Sequence, residues 1–75
     1  MEIAPYINVD PEIHHGAPVI TGTRVPVFLV LGSLAGDMEK EDVVREYELT
    51  RAQIEAALAY AAELVQKTQV TAIRA

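Results

Sequence analysis

The sequence has no cysteine and no tryptophan, and its 75 residues include only four aromatics, three tyrosines and one phenylalanine. Without cysteine there is neither a disulfide staple nor a Cys-ligated zinc to support so small a chain. Basic residues are scarce, six Lys and Arg against eleven Asp and Glu, for a net charge of −5. Phosphate is not drawn to such a field, so general nucleic-acid binding is disfavoured, which leaves room only for local basic spots or a basic protein partner. Long apolar runs are missing as well. Nothing approaches the roughly 18 residues of a membrane span, and Met1 to Ile20 lacks the basic start and continuous apolar core of a signal peptide. A cytoplasmic protein with no membrane association is the expectation.

What is present is a chain half apolar in composition, with a core to be built from Val, Ile, Leu and Ala. Seventy-five residues make a single domain that buries only about 60% of its unfolded surface. Self-association, with a homodimer as the default, is therefore expected. The charge is spread along the chain. Residues 1–36 carry Glu2, Asp10 and Glu12 against Arg24, and residues 37–75 carry eight acids against five bases, hence −2 and −3.

The organising stretch is Gly16 to Val27, G-A-P-V-I-T-G-T-R-V-P-V. Val19-Ile20 and Arg24-Val25 are short pieces carrying β-branched residues, separated by Thr21-Gly22-Thr23. Gly22 takes φ > 0 without a Cβ penalty, and the threonines bond nearby backbone, so the chain reverses there. Pro18 and Pro26 bracket the unit and hold Ala17 and Val25 extended. Before it, residues 1–13 read as an extended arm with a short strand at Tyr6–Val9 and a turn at Asp10-Pro11. The arm is expected to be tied down by pairing.

From Val27 the apolar period becomes helical. Val27, Leu31, Leu34 and Ala35 form one face, with Val30 beside it and Phe28 flanking, and Gly36 ends the element. Gly32 is expected to permit close packing of another helix. A second helix starts at Asp37-Met38-Glu39 and runs to about Tyr47, with Val43, Val44 and Tyr47 buried and its acids matched to the helix dipole. Thr50-Arg51-Ala52-Gln53 is a capping box opening a third, longer helix. Ile54, Ala57, Leu58, Ala61 and Val65 give its core face, and Ala52, Ala56 and Ala59 a thin second face. Residues 66–75 form a tail with strand-like residues in Val70–Ile73, read as loose, as ordering on a partner, or as a continuation of the third helix.

The fold class is mainly α: a three-helix, homeodomain-like helix-turn-helix bundle (27–65) with a short N-terminal β-arm or hairpin (1–26). Glu48-Leu49-Thr50 has the length of the turn in a helix-turn-helix but lacks its usual glycine. In a major groove, the third helix would present Arg51, Ala52 and Glu55, where Arg51 can read guanine and Glu55 can accept from cytosine. Lys40 and Arg45 complete the candidate DNA contacts. Three cations are few for binding at physiological salt. Gly22, Thr23, Arg24, Val70 and Ile73 are the candidate partner contacts. Arg24 suits a phosphate or a partner carboxylate, or alternatively pins the arm to a helix C-terminus.

His14 and His15 point to opposite faces of an extended piece and lack a third ligand at a usual spacing, so they read as turn histidines. No nucleophile–base–orienter set stands out. No enzyme activity, metal or cofactor is expected.

Five blocks carry a resemblance: I-N-V-D-P at Ile7–Pro11, the stretch Gly16–Val27, L-A-G-D at Leu34–Asp37, E-Y-E-L-T at Glu46–Thr50 and A-A-L-A-Y-A-A at Ala56–Ala62. Together they resemble the domain-of-unknown-function 433 family over about three quarters of the chain. Glu39 stands where that family often has Ser or Thr, so Asp37 is expected to cap the second helix instead. The resemblance implies a homeodomain-like fold with a β-arm and a role like that of VapB-type antitoxins, encoded beside a PIN-like ribonuclease toxin. Such a protein would bind and silence its toxin, and as a second role would bind operator DNA and repress the shared promoter. The alternatives are a stand-alone helix-turn-helix DNA-binding regulator and a structural homodimer module.

Overall fold

The computed structural model describes residues 1–69. A three-stranded antiparallel sheet is followed by three helices, and the two parts share one core. Strand β1 (Glu2–Ala4) turns through Pro5-Tyr6 into β2 (Ile7–Asn8), and β2 pairs with β3 (Val19–Ile20) in the order β1-β2-β3. Ile7 lies opposite Ile20 and Asn8 opposite Val19, while a bulge interrupts β1 against β2. The expected pairing of the arm is present, but its strands differ. Strand β1 is added, and the strand expected at Tyr6–Val9 is only Ile7–Asn8 because Tyr6 turns at φ 65. Arg24-Val25 forms no strand and meets β3 only through one backbone bond to Ile20, beside the isolated Val19–Pro26 bridge. Strand β1 escaped notice because Glu2–Ala4 is too short to show an alternation.

The expected reversal after β3 has a specific construction. Gly22 sits at φ +81, the Thr23 hydroxyl donates to the Ile20 carbonyl at 2.8 Å, and the Val25 N–H donates to that hydroxyl at 3.0 Å. The Ile20 N–H closes the loop on the Val25 carbonyl, and Val19 bridges Pro26.

Helix α1 (Val27–Ala35) has no side-chain cap, and Pro26 precedes it with no N–H to satisfy. The first free donor, the Val27 N–H, bonds the Pro18 carbonyl at 2.9 Å. The arm therefore caps the helix it delivers. Gly36 ends α1 with φ −77, so the helix stops without the left-handed geometry usual for a terminal glycine. Gly32 faces open space with no atom within 4 Å of where a Cβ would stand, and the close helix packing expected there is absent.

Helix α2 (Lys40–Tyr47) begins at Glu39, not Asp37: the Asp42 carboxylate reaches back to the Glu39 N–H at 3.0 Å. A pair of acids three residues apart thus does what Ser or Thr would otherwise do, and Asp37 is left outside the cap. At the other end Glu48 takes the left-handed conformation (φ 55, ψ 48), a non-glycine residue where glycine is usual. Helix α3 (Arg51–Lys67) opens with the expected capping box. The Gln53 N–H donates to the Thr50 hydroxyl at 3.1 Å, and the Thr50 N–H donates to the Gln53 amide oxygen at 2.9 Å.

The core consists of Ile7, Ile20, Val27, Val30, Val43, Leu49, Ile54 and Ala57, drawn from strands and all three helices, with Val44 and Tyr47 partly buried against it. Two expected core positions fail. Ala35 is exposed, and Val65 is 71% exposed. At 1.5 Å per residue α3 spans about 25 Å, against about 13 Å for the nine-residue α1. The partners of α3 end before Val65 is reached. Among the described residues no helix is long and apolar enough to cross a membrane.

Candidate functional site

Two surfaces hold the residues singled out by the sequence. The first is the tip of the β3–α1 connection, which carries Gly22, Thr23 and Arg24 together. Thr23 is committed to the turn through its hydroxyl bonds, so its role is structural. Arg24 is different. Its carbonyl accepts from the His14 Nε2–H at 2.9 Å, and the flanking Thr23 and Val25 are held by the turn's own bonds. His14, His15 and Gly16 form a single tight turn, all three at positive φ, and that left-handed turn brings the imidazole across to the tip. The guanidinium itself is exposed and has no carboxylate within ion-pair distance among the described residues. It does not pin the arm to a helix end. An exposed guanidinium on a turn whose backbone is held is open to a partner's carboxylate or phosphate.

The second surface is formed by the first turns of α2 and α3. Lys40 pairs with Glu55 at 3.1 Å and Arg51 with Glu41 at 2.6 Å, so two ion pairs cross from one helix to the other. Arg45 pairs with Asp42 at 2.7 Å within α2. All three candidate DNA-contact cations are thus held by carboxylates, and Glu55 itself is engaged. Ala52 is exposed beside them. The Glu41 carboxyl lies below its ordinary value, chiefly because its own backbone N–H at the start of α2 bonds it, and further because of the Arg51 guanidinium. A face of alternating, mutually neutralised charge offers little to a phosphate backbone. The two interhelical bridges join α2 to α3 but are partly solvated, so they add little to the packing of the two helices.

The other two candidate partner contacts, Val70 and Ile73, lie outside the described residues. Among the described residues, no three His, Asp or Glu side chains come together as a metal site.

A third surface was missed in the sequence. Phe28 and Leu31 of α1 face Tyr60 and Leu64 of α3 across an open groove with almost wholly apolar walls. Phe28 is 62% exposed and Leu64 51%. The available signal was length: α3 carries apolar residues further than α1 or α2 can cover.

The architecture is that of a small, mainly α domain with a three-stranded antiparallel sheet sharing its core. The particular family follows from the sequence that builds it. Residues 7–61 match the family model described as protein of unknown function (DUF433), and the chain belongs to that family. No curated protein and no solved structure gives a significant match.

Proposed function

We propose that the chain is the antitoxin of a type II toxin–antitoxin pair, a binding module that neutralises a PIN-like ribonuclease toxin through its hairpin tip. The observation that carries this reading is the contrast between Arg24 and the helical cations. Among the described residues Arg24 has no carboxylate within ion-pair distance, whereas Lys40, Arg45 and Arg51 are each paired with one. Protein docking is supported by that arrangement more than nucleic-acid binding. The toxin's identity rests on the resemblance to VapB-type antitoxins. It agrees with the charge of −5, since a nuclease site must attract RNA phosphate and an acidic inhibitor competes for it.

On this reading α2, the turn at 48–50 and α3 form a homeodomain-like helix-turn-helix that serves mainly as scaffold. Repression of the pair's own promoter would be a secondary role and would require Arg51 and Lys40 to exchange carboxylates for phosphates.

The test is to mix the purified chain with a PIN-like nuclease encoded beside its gene and follow RNA cleavage. Cleavage should fall in stoichiometric proportion. Full cleavage with no complex formed would end the antitoxin reading. A gel shift with the chain's own upstream DNA should show weak retardation that fades steeply with salt. Tight retardation abolished by Arg51→Ala would instead favour the stand-alone regulator.

A further inference from the structure

Helix α3 stops at a defined place. The Thr68 N–H bonds the Val65 carbonyl at 3.1 Å, and the Thr68 hydroxyl donates to the Leu64 carbonyl at 2.7 Å. Thr68 itself has extended backbone (φ −90, ψ 125), so the chain leaves the helix in strand geometry. The described residues end one position later, at Gln69.

Beside this exit lies an open sheet edge. In the order β1-β2-β3, only the inner side of β1 is paired among the described residues. Met1 and Val9 exchange both backbone bonds, so in the antiparallel alternation Glu2, opposite Asn8, turns its N–H and C=O outward. Two adjoining hollows separate that edge from α3. One sets Lys67 against Ile3, the other sets Ala56 against Pro5, and Tyr60 lines both. Strand β1 therefore runs past α3 in the opposite sense, and the cleft between them opens where the helix stops.

We propose that residues 70–73, Val-Thr-Ala-Ile, return along this cleft as a fourth strand on the outer edge of β1, parallel to it. Connectivity selects this occupant. Val70 follows Lys67 by three positions, which tethers the segment at the mouth of the cleft at an effective concentration of about millimolar that any free peptide must exceed. The length fits as well: residues 70–73 reach about 13 Å as a strand, enough to cover β1. Val70, Thr71 and Ile73 are β-branched and suit a pleated ladder, and an edge left bare is a template for unwanted pairing. Charge agrees, because Arg74 is the only charged side chain after Lys67 and all eleven acids precede it. The proposal does not rest on the antitoxin reading. It assigns Val70 and Ile73 to the chain's own sheet in place of a partner, and it leaves the Arg24 tip open.

Nuclear magnetic resonance of the purified full chain tests this directly. Through-space contacts between residues 70–73 and Glu2–Ala4 are expected and should persist on dilution. Amide exchange within 70–73 should be at least about tenfold slower than in a free peptide. Backbone N–H groups alternate in direction along a strand. One of Thr71→Pro and Ala72→Pro should therefore abolish the contacts, while the other, with its N–H toward solvent, keeps them. Helical circular dichroism should be the same in both, since neither position belongs to the core. Free-peptide exchange throughout 70–73 would overturn the proposal. So would contacts from that segment to Phe28 and Leu31 on α1, or two proline variants that behave alike. Contacts that fade on dilution would place a second copy's segment on β1, and the intrachain strand would be rejected.

Discussion

Single residues in this chain act where a side chain meets an unusual backbone or an unusual neighbour. Gly32 lies inside α1, faces solvent and has nothing near the position of a Cβ. Glycine there carries only its entropic cost, so Gly32→Ala should stabilise the fold by about 0.5–1 kcal/mol, read as a higher urea midpoint with an unchanged slope. A loss of stability would mean that something packs on that face after all. Glu41 supplies a pH prediction. Its carboxyl is held below the ordinary range in the folded state by its own N–H at the start of α2 and by Arg51. A depressed folded value gives stability that is present above the unfolded value and is lost as the pH falls through the folded one. Glu41→Gln should therefore narrow the drop in melting temperature on acidification, with the difference from the unsubstituted chain vanishing at the acid end. Arg24 is the residue whose surroundings could not be foreseen. The G-T-R-V-P-V block identified a turn, but the imidazole that fixes the Arg24 carbonyl comes from ten residues earlier in the chain, through a left-handed turn at His14 and His15 that remains uncommon for a non-glycine residue even though histidine is enriched in it.

At the level of elements, local chemistry was the more legible the more it depended on neighbours in sequence. The Thr50–Gln53 capping box appears as the sequence implies, with both reciprocal bonds formed. Thr50→Ala should cost about 1 kcal/mol in urea unfolding and fray the first turn of α3, seen as faster amide exchange at Arg51 to Gln53. No change in exchange there would show that the cap is idle and that the Lys40–Glu55 and Arg51–Glu41 bridges hold that turn in its place. The start of α2 was misplaced onto Asp37 because Glu39 is a poor cap by type. Its pairing with Asp42 supplies the missing acceptor from three residues ahead. For α3 the helical period was legible and its cover was not. Periodicity says which side chains share a face, while only the lengths of α1 and α2 decide how far that face is buried, and Val65 lies beyond them.

Taken whole, the molecule is a sheet-and-helix body in which the arm does more than pair. The Pro18 carbonyl caps α1, Ile7 and Ile20 enter the helical core, and the same stretch ends in the Arg24 tip. The mainly α class and the paired arm could be read from sequence because both follow from periodicity and from proline and glycine placement. Which charges face solvent alone could not, because the ion pairs between α2 and α3 join residues ten and fifteen positions apart. Those pairs shift the weight from the helical cations to the hairpin tip. The decisive measurement is a titration of a PIN-like nuclease encoded beside the gene with Arg24→Ala and, separately, with Arg51→Ala. Arg24→Ala should bind at least about tenfold more weakly, about 1.4 kcal/mol, with its melting temperature unchanged, while Arg51→Ala binds as the unsubstituted chain does. Undiminished binding by Arg24→Ala, with affinity lost in Arg51→Ala, would contradict the account.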